Sequence, residues 1–75
     1  MNDGILYTYE VISNQSDRAE HICARKETAE YLADWCNALV EQTIRSLEEA
    51  HPSIDWTTTR RKAEVYGVEE GEVIL

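Results

Sequence analysis

The chain has 75 residues, with 7 Lys and Arg against 15 Asp and Glu, a formal net charge of −8, and two cysteines. A domain this short buries only about 60% of the surface its unfolded chain exposes, which leaves a small core and little volume for an enclosed active site. The negative charge argues against nucleic acid and anionic lipid as ligands and favours basic protein surfaces, while also serving solubility.

The segment "GILYTYEVI", residues 4–12, is rich in β-branched and aromatic side chains and reads as a strand. Strand alternation puts Ile5, Tyr7, Tyr9 and Val11 on one side and Leu6, Thr8, Glu10 and Ile12 on the other. "SNQSD" follows as a cluster of turn formers, and "RAEHICA", residues 18–24, reads as a second strand that closes a hairpin on the first. From Lys26 the period becomes helical. Leu32, Trp35, Cys36, Leu39, Thr43, Leu47 and Ala50 fall within one stripe, which is the expected core face. A helix of roughly 24 residues is about 36 Å long. Glu27 and Glu30 suit its positive end, His51 suits its negative end, and Pro52 closes it. "SIDW" is a loop, "TTTRRKAEVYGV" (57–68) reads as a third strand, and "EVIL" after "EEG" reads either as a short fourth strand or as a loose tail. The pattern specifies one α+β domain over residues 1–75. Its order is β-β-α-β, with a three-stranded antiparallel sheet covered on one face by a long helix.

The helix face away from the apolar stripe carries Glu27, Glu30, Asp34, Glu41 and Glu48, an acidic ridge relieved only by the i,i+4 partner of Glu41, Arg45. The ridge reads as a docking surface for basic groups or as a plain solvated face. Arg60, Arg61 and Lys62 gather three of the seven basic residues on the third strand. Alternation there sets Arg60, Lys62, Glu64 and Tyr66 on the open sheet face, as a docking surface or as cross-strand partners for Glu10 or Glu20. Val40, Ala33 and Ile44 lie on a helix flank beyond the reach of one sheet and read as an apolar patch for a protein contact or a homodimer. Trp35 reads as core, and Trp56 as a cap on the end of the core or an anchor for a partner.

Chemistry finds little support. His21 and Cys23 form only an H-x-C pair, short of the four converging ligands a zinc site takes, and neither Cys23 nor Cys36 has the base and orienting group of a nucleophile. Both cysteines read as reduced, partly buried thiols. No cofactor and no enzymatic activity are expected. The opening residues lack the basic and apolar regions of a secretion signal, and no apolar run reaches membrane-spanning length. The expected location is therefore the cytoplasm.

Three segments, "ILYTYEVISN", "AEHICARKETAEYLADWCNAL" and "TTTRRKAEVYGV", together resemble the small early-gene inhibitors that lytic bacteriophages direct at host RNA polymerase. The matching residues are Glu27, Thr28, Glu30, Leu32, Ala33 and Trp35 in the helix opening, followed by Arg60, Arg61 and Lys62. The resemblance implies a non-enzymatic inhibitor in the bacterial host cytoplasm. It would bind the polymerase largest subunit and block initiation, with Arg60, Arg61 and Lys62 docking and the ridge Glu27, Glu30, Asp34, Glu41 and Glu48 meeting the DNA path. The long helix and the acidic, apolar tail depart from that pattern. Two other readings stand beside it: an acidic DNA mimic of the anti-CRISPR kind directed at a nucleic-acid enzyme, and a homodimeric structural module.

Overall fold

β-branched and aromatic side chains dominate β1 (Ile5–Ser13), which lies at the centre of the sheet and alternates in burial only toward its C-terminal end, where Val11 and Ser13 are buried and Ile12 is not. The computed structural model describes residues 4–74. β2 (Ala19–Cys23) pairs antiparallel with β1 from Tyr9↔Cys23 to Ile12↔Ala19, with an irregularity between Val11 and Ile12. β3 (Tyr66–Ile74) pairs antiparallel with the whole of β1, from Ser13↔Tyr66 to Ile5↔Ile74, so the strand order is β2-β1-β3. The expected α+β architecture holds: a three-stranded antiparallel sheet with one long helix, α1 (Lys26–Ala50), on one face.

Two expectations for the C-terminal third are overturned. Residues 57–62 do not form a strand; they form a short helix, α2 (Thr57–Lys62), between α1 and β3. The intrinsic β preference of three threonines loses to local hydrogen bonding and charge. The Asp55 carboxylate accepts from the Thr57 amide at 3.0 Å and from the Thr57 hydroxyl at 2.6 Å, opening the turn. Arg60, Arg61 and Lys62 then occupy the last turn, where the helix dipole favours cations. "EEG" makes no turn either: Glu69, Glu70 and Gly71 continue β3, and Val73 and Ile74 are its last residues rather than a fourth strand. Leu75 lies outside the described residues.

The core is the third correction. It consists of Val11, Ala29, Ala33 and Ile44, with Tyr9, Cys23, Leu32, Tyr66 and Val68 packed at its margin. Ala33 and Ile44, expected on an uncovered flank with Val40, are buried, and Val40 is half-buried. Trp35, expected inside, is 55% exposed, and Leu39 and Leu47 are exposed with it. At 100° per residue, α1 is rolled by roughly 80° from the expected orientation. The reason is steric. Small side chains at Ala29 and Ala33 let the helix backbone approach a narrow sheet, and a face built on Trp35 and Leu39 would hold it away. The apolar stripe of α1 is therefore wider than the sheet covers, and its large half faces outward.

The alternation read for β1 survives: Val11 is 0% exposed and Ser13 is buried toward α1, with Tyr9 in line, while Leu6, Thr8, Glu10 and Ile12 occupy the other face. The molecule is elongated, 61 × 20 × 12 Å along its principal axes. Among the described residues, no helix is long and apolar enough to cross a membrane.

Candidate interaction surface

The acidic ridge and the basic cluster, read separately from sequence, meet in space. Glu27, Asp34, Glu41 and Glu48 recur every seven residues of α1, so the row drifts by about 20° per repeat around the helix. Its C-terminal half turns toward α2. There Arg60 forks between two carboxylates: Nε and Nη2 donate to Glu48 at 2.9 and 2.6 Å, and Nη1 and Nη2 donate to Glu41 at 2.9 and 3.3 Å. Arg45 adds a looser contact to Glu41 at 3.4 Å. The hydrogen bonds from Arg60 hold both carboxyls below the ordinary carboxylate range. The carboxylates in turn raise the guanidinium further above its own ordinary value.

This geometry corrects the role expected of Arg60. It does not project from an open sheet face beside Lys62 and Tyr66, nor does it pair with Glu10 or Glu20; it ties α2 onto α1. Arg61 and Lys62 remain exposed on α2. Tyr66 does not line the open face. It is half-buried on the α1 side of the sheet, in contact with the core. Burial, with a contribution from Glu64, raises its phenol above the ordinary value, and its hydroxyl donates to Glu64 at 3.3 Å.

The N-terminal half of the ridge is different. Glu27, Glu30 and Asp34 are exposed, and among the described residues they form no salt bridge. Beside them Tyr31, Trp35 and Leu39 follow one another at i,i+4 and stand exposed in a line along α1. The line runs into an open groove of about 590 Å³ between the C-terminal half of α1 and the α2 segment, lined by Leu39, Val40, Thr43, Ile44, Leu47 and Ala63. One surface thus combines three uncompensated carboxylates, two aromatic side chains and an apolar groove whose far wall is held by Arg60.

Three polar side chains that the sequence reading passed over fix this arrangement. Asn37 of α1 hydrogen-bonds both backbone groups of Tyr66. Asn14 accepts from the Val65 amide at 2.9 Å and donates its own amide to the Val65 carbonyl at 2.9 Å. Gln15 donates its side-chain amide to the Lys62 carbonyl. The available signal was Asn37 itself, a polar residue four positions after Ala33 on the side of α1 that turns inward. Trp56 is half-buried, and its indole N–H donates to the His51 carbonyl at 3.0 Å, at the end of α1.

Cys23 and Cys36 are both free and half-buried. Among the described residues, no group of three or more His, Cys, Asp or Glu converges on a metal-sized site. In comparisons with known proteins, no family model matches the chain, and no curated protein or solved structure is similar to it.

Proposed function

We propose that this is a non-enzymatic binding protein that docks on bacterial RNA polymerase and inhibits transcription initiation. The resemblance of its helix opening and basic cluster supplies the partner. The observation that carries a binding role is the surface of α1, where Tyr31, Trp35 and Leu39 stand exposed beside Glu27, Glu30 and Asp34. Exposed aromatic residues flanked by like charges are the makings of an interface centre with a steering rim. The docking role moves accordingly, from Arg60 to the α1 surface, with Arg61 and Lys62 at its margin. The DNA-mimic reading is weakened because Arg60 neutralises the C-terminal half of the ridge.

The test is binding to purified polymerase holoenzyme with transcription from a σ-dependent promoter as the readout. The expected result is a stoichiometric complex and loss of the full-length transcript. Trp35→Ala should weaken the complex by about 30-fold, the equivalent of a 2 kcal/mol hot spot. Absence of a complex at micromolar concentrations would overturn the partner. Displacement of a nuclease from duplex DNA by this protein, with no effect on the polymerase, would favour the mimic.

A further inference from the structure

We infer that two copies of the chain pair through the uncovered edge of β1 at Ile5–Thr8, forming a two-fold dimer. The inference is independent of the polymerase reading and of the α1 surface.

The single chain leaves too much surface open to be the finished molecule. Its accessible surface is 5903 Å², whereas a folded monomer of 8.6 kDa exposes about 4,700 Å². Its radius of gyration is 16.5 Å, against about 11 Å for a compact domain of this length. The excess of about 1,200 Å² exceeds the roughly 800 Å² that each partner buries in a standard interface. Four buried apolar residues are a slender core to hold such a shape.

Part of this open surface lies at one end of the sheet. β2 pairs with β1 no further than Tyr9, so Ile5–Thr8 has β3 on one side and no described strand on the other. The helix does not cover this end: Ile5, Leu6 and Tyr7 are 36%, 51% and 40% exposed, on both faces of the ribbon, and Val73 and Ile74 opposite them are exposed as well. A two-stranded ribbon bare on both faces is marginal in water.

Charge selects the edge. Two molecules of net charge −8 repel overall and meet at least cost where acids are absent. The outer edge of β3 carries Glu69, Glu70 and Glu72, and a two-fold centred on its middle residue sets Glu70 against its own copy. The β1 edge carries no charge over Ile5–Thr8. An antiparallel two-fold perpendicular to the sheet, centred on Leu6 or on Tyr7, opposes only Ile, Leu, Tyr and Thr within that stretch. It also keeps the β3 strands on the outside. The two Glu72 residues then lie three strand spacings apart, about 14 Å, which is beyond the screening length of about 8 Å in physiological salt.

Sedimentation of the full chain from micromolar to millimolar concentration tests this. The expected result is a species of twice the 8.6 kDa chain mass, lost in Leu6→Lys and kept in Glu70→Gln. Amide exchange of wild-type Ile5–Thr8 should slow as concentration rises, a readout that needs no variant. A monomer throughout the range would overturn the inference. So would a dimer that survives Leu6→Lys with concentration-independent exchange at Ile5–Thr8, or protection of these amides that requires a foreign protein.

Discussion

The side-chain amide of Asn37 pairs with both backbone polar groups of Tyr66: Nδ2 donates to the carbonyl at 3.0 Å, and the Tyr66 amide donates to Oδ1 at 2.8 Å. Tyr66 begins β3, so this one side chain fixes where the strand enters the sheet and how α1 lies over it. Asn37→Ala strands two half-buried backbone groups and should cost about 1–3 kcal/mol. In a domain this small, that lowers the melting midpoint by about 4–8 °C per kcal/mol. Asn37→Asp keeps the acceptor and loses the donor, so it should fall between the two. Calorimetry of the three proteins checks the order; a melting point unchanged in Asn37→Ala would mean the pairing is idle.

Arg60 predicts a pH dependence. Glu41 and Glu48 are held below their ordinary value of 4.5 by its hydrogen bonds. A carboxyl with a depressed folded value contributes stability that is fully present above its unfolded value and is lost as pH falls through the folded one. The α2 segment should therefore be tied down at neutral pH and loosen below 4.5. Arg60→Met should loosen it at every pH and remove that acid-dependent step. Amide exchange over Thr57–Lys62, followed against pH in both proteins, reads the effect directly. Because the clamp is open to solvent, the global melting midpoint should move little.

The parts of this fold legible in the sequence are those written in periodicity. The period of two along Ile5–Ile12 and the change to a helical period at Lys26 located β1, β2, their hairpin and α1 nearly to the residue, whereas β3 was placed too early in the chain. What misled was the orientation of α1. A stripe containing Trp35 and Leu39 outweighs one containing Ala29 and Ala33 on any hydrophobicity count, yet distance of approach decides packing, and alanine wins there. "TTTRRK" misled for a related reason: its strand propensity is local, while the Asp55 turn and the Glu41–Arg60–Glu48 clamp depend on residues up to 19 positions away. The surface of Glu27, Glu30, Asp34, Tyr31 and Trp35 was half legible, since its acids were visible as a ridge while Trp35 was assigned to the core and Tyr31 was given no role.

The two glycines of β3 should respond oppositely to alanine. A Cβ at Gly71 would come within 2.9 Å of Thr8 Oγ1 and 3.5 Å of Glu10 Cδ, whereas at Gly67 it meets nothing within 4 Å. Thr8 is β-branched and stiff, so the Gly71 clash is relieved only by a rotamer change or a strand shift. Gly71→Ala should destabilise by about 1–3 kcal/mol, with most of the loss recovered in the Thr8→Ser, Gly71→Ala double variant if rotation of the smaller side chain clears the space. Gly67→Ala should be neutral or stabilising by up to about 1 kcal/mol through reduced freedom of the unfolded chain. Chemical denaturation of all three decides it.

The orientation of α1 makes the sharpest contrast. Ala33 is 4% exposed against the sheet, and Trp35, two residues on, is 55% exposed on the far side. Size and effect should therefore be inverted. Ala33→Leu adds volume where the helix backbone already lies close to Val11 and should destabilise by about 1–3 kcal/mol. Trp35→Ala removes the larger side chain and should change stability by no more than about 0.5 kcal/mol, as exposed substitutions do. Had the helix packed on its Trp35 face, the order would reverse, with Trp35→Ala costing about 3–5 kcal/mol and Ala33→Leu costing little. Urea denaturation of the two variants therefore distinguishes the two rolls. A tolerated Trp35→Ala would also supply a folded reagent for the polymerase assay, so that lost binding in that variant is attributable to the α1 surface and not to an unfolded chain.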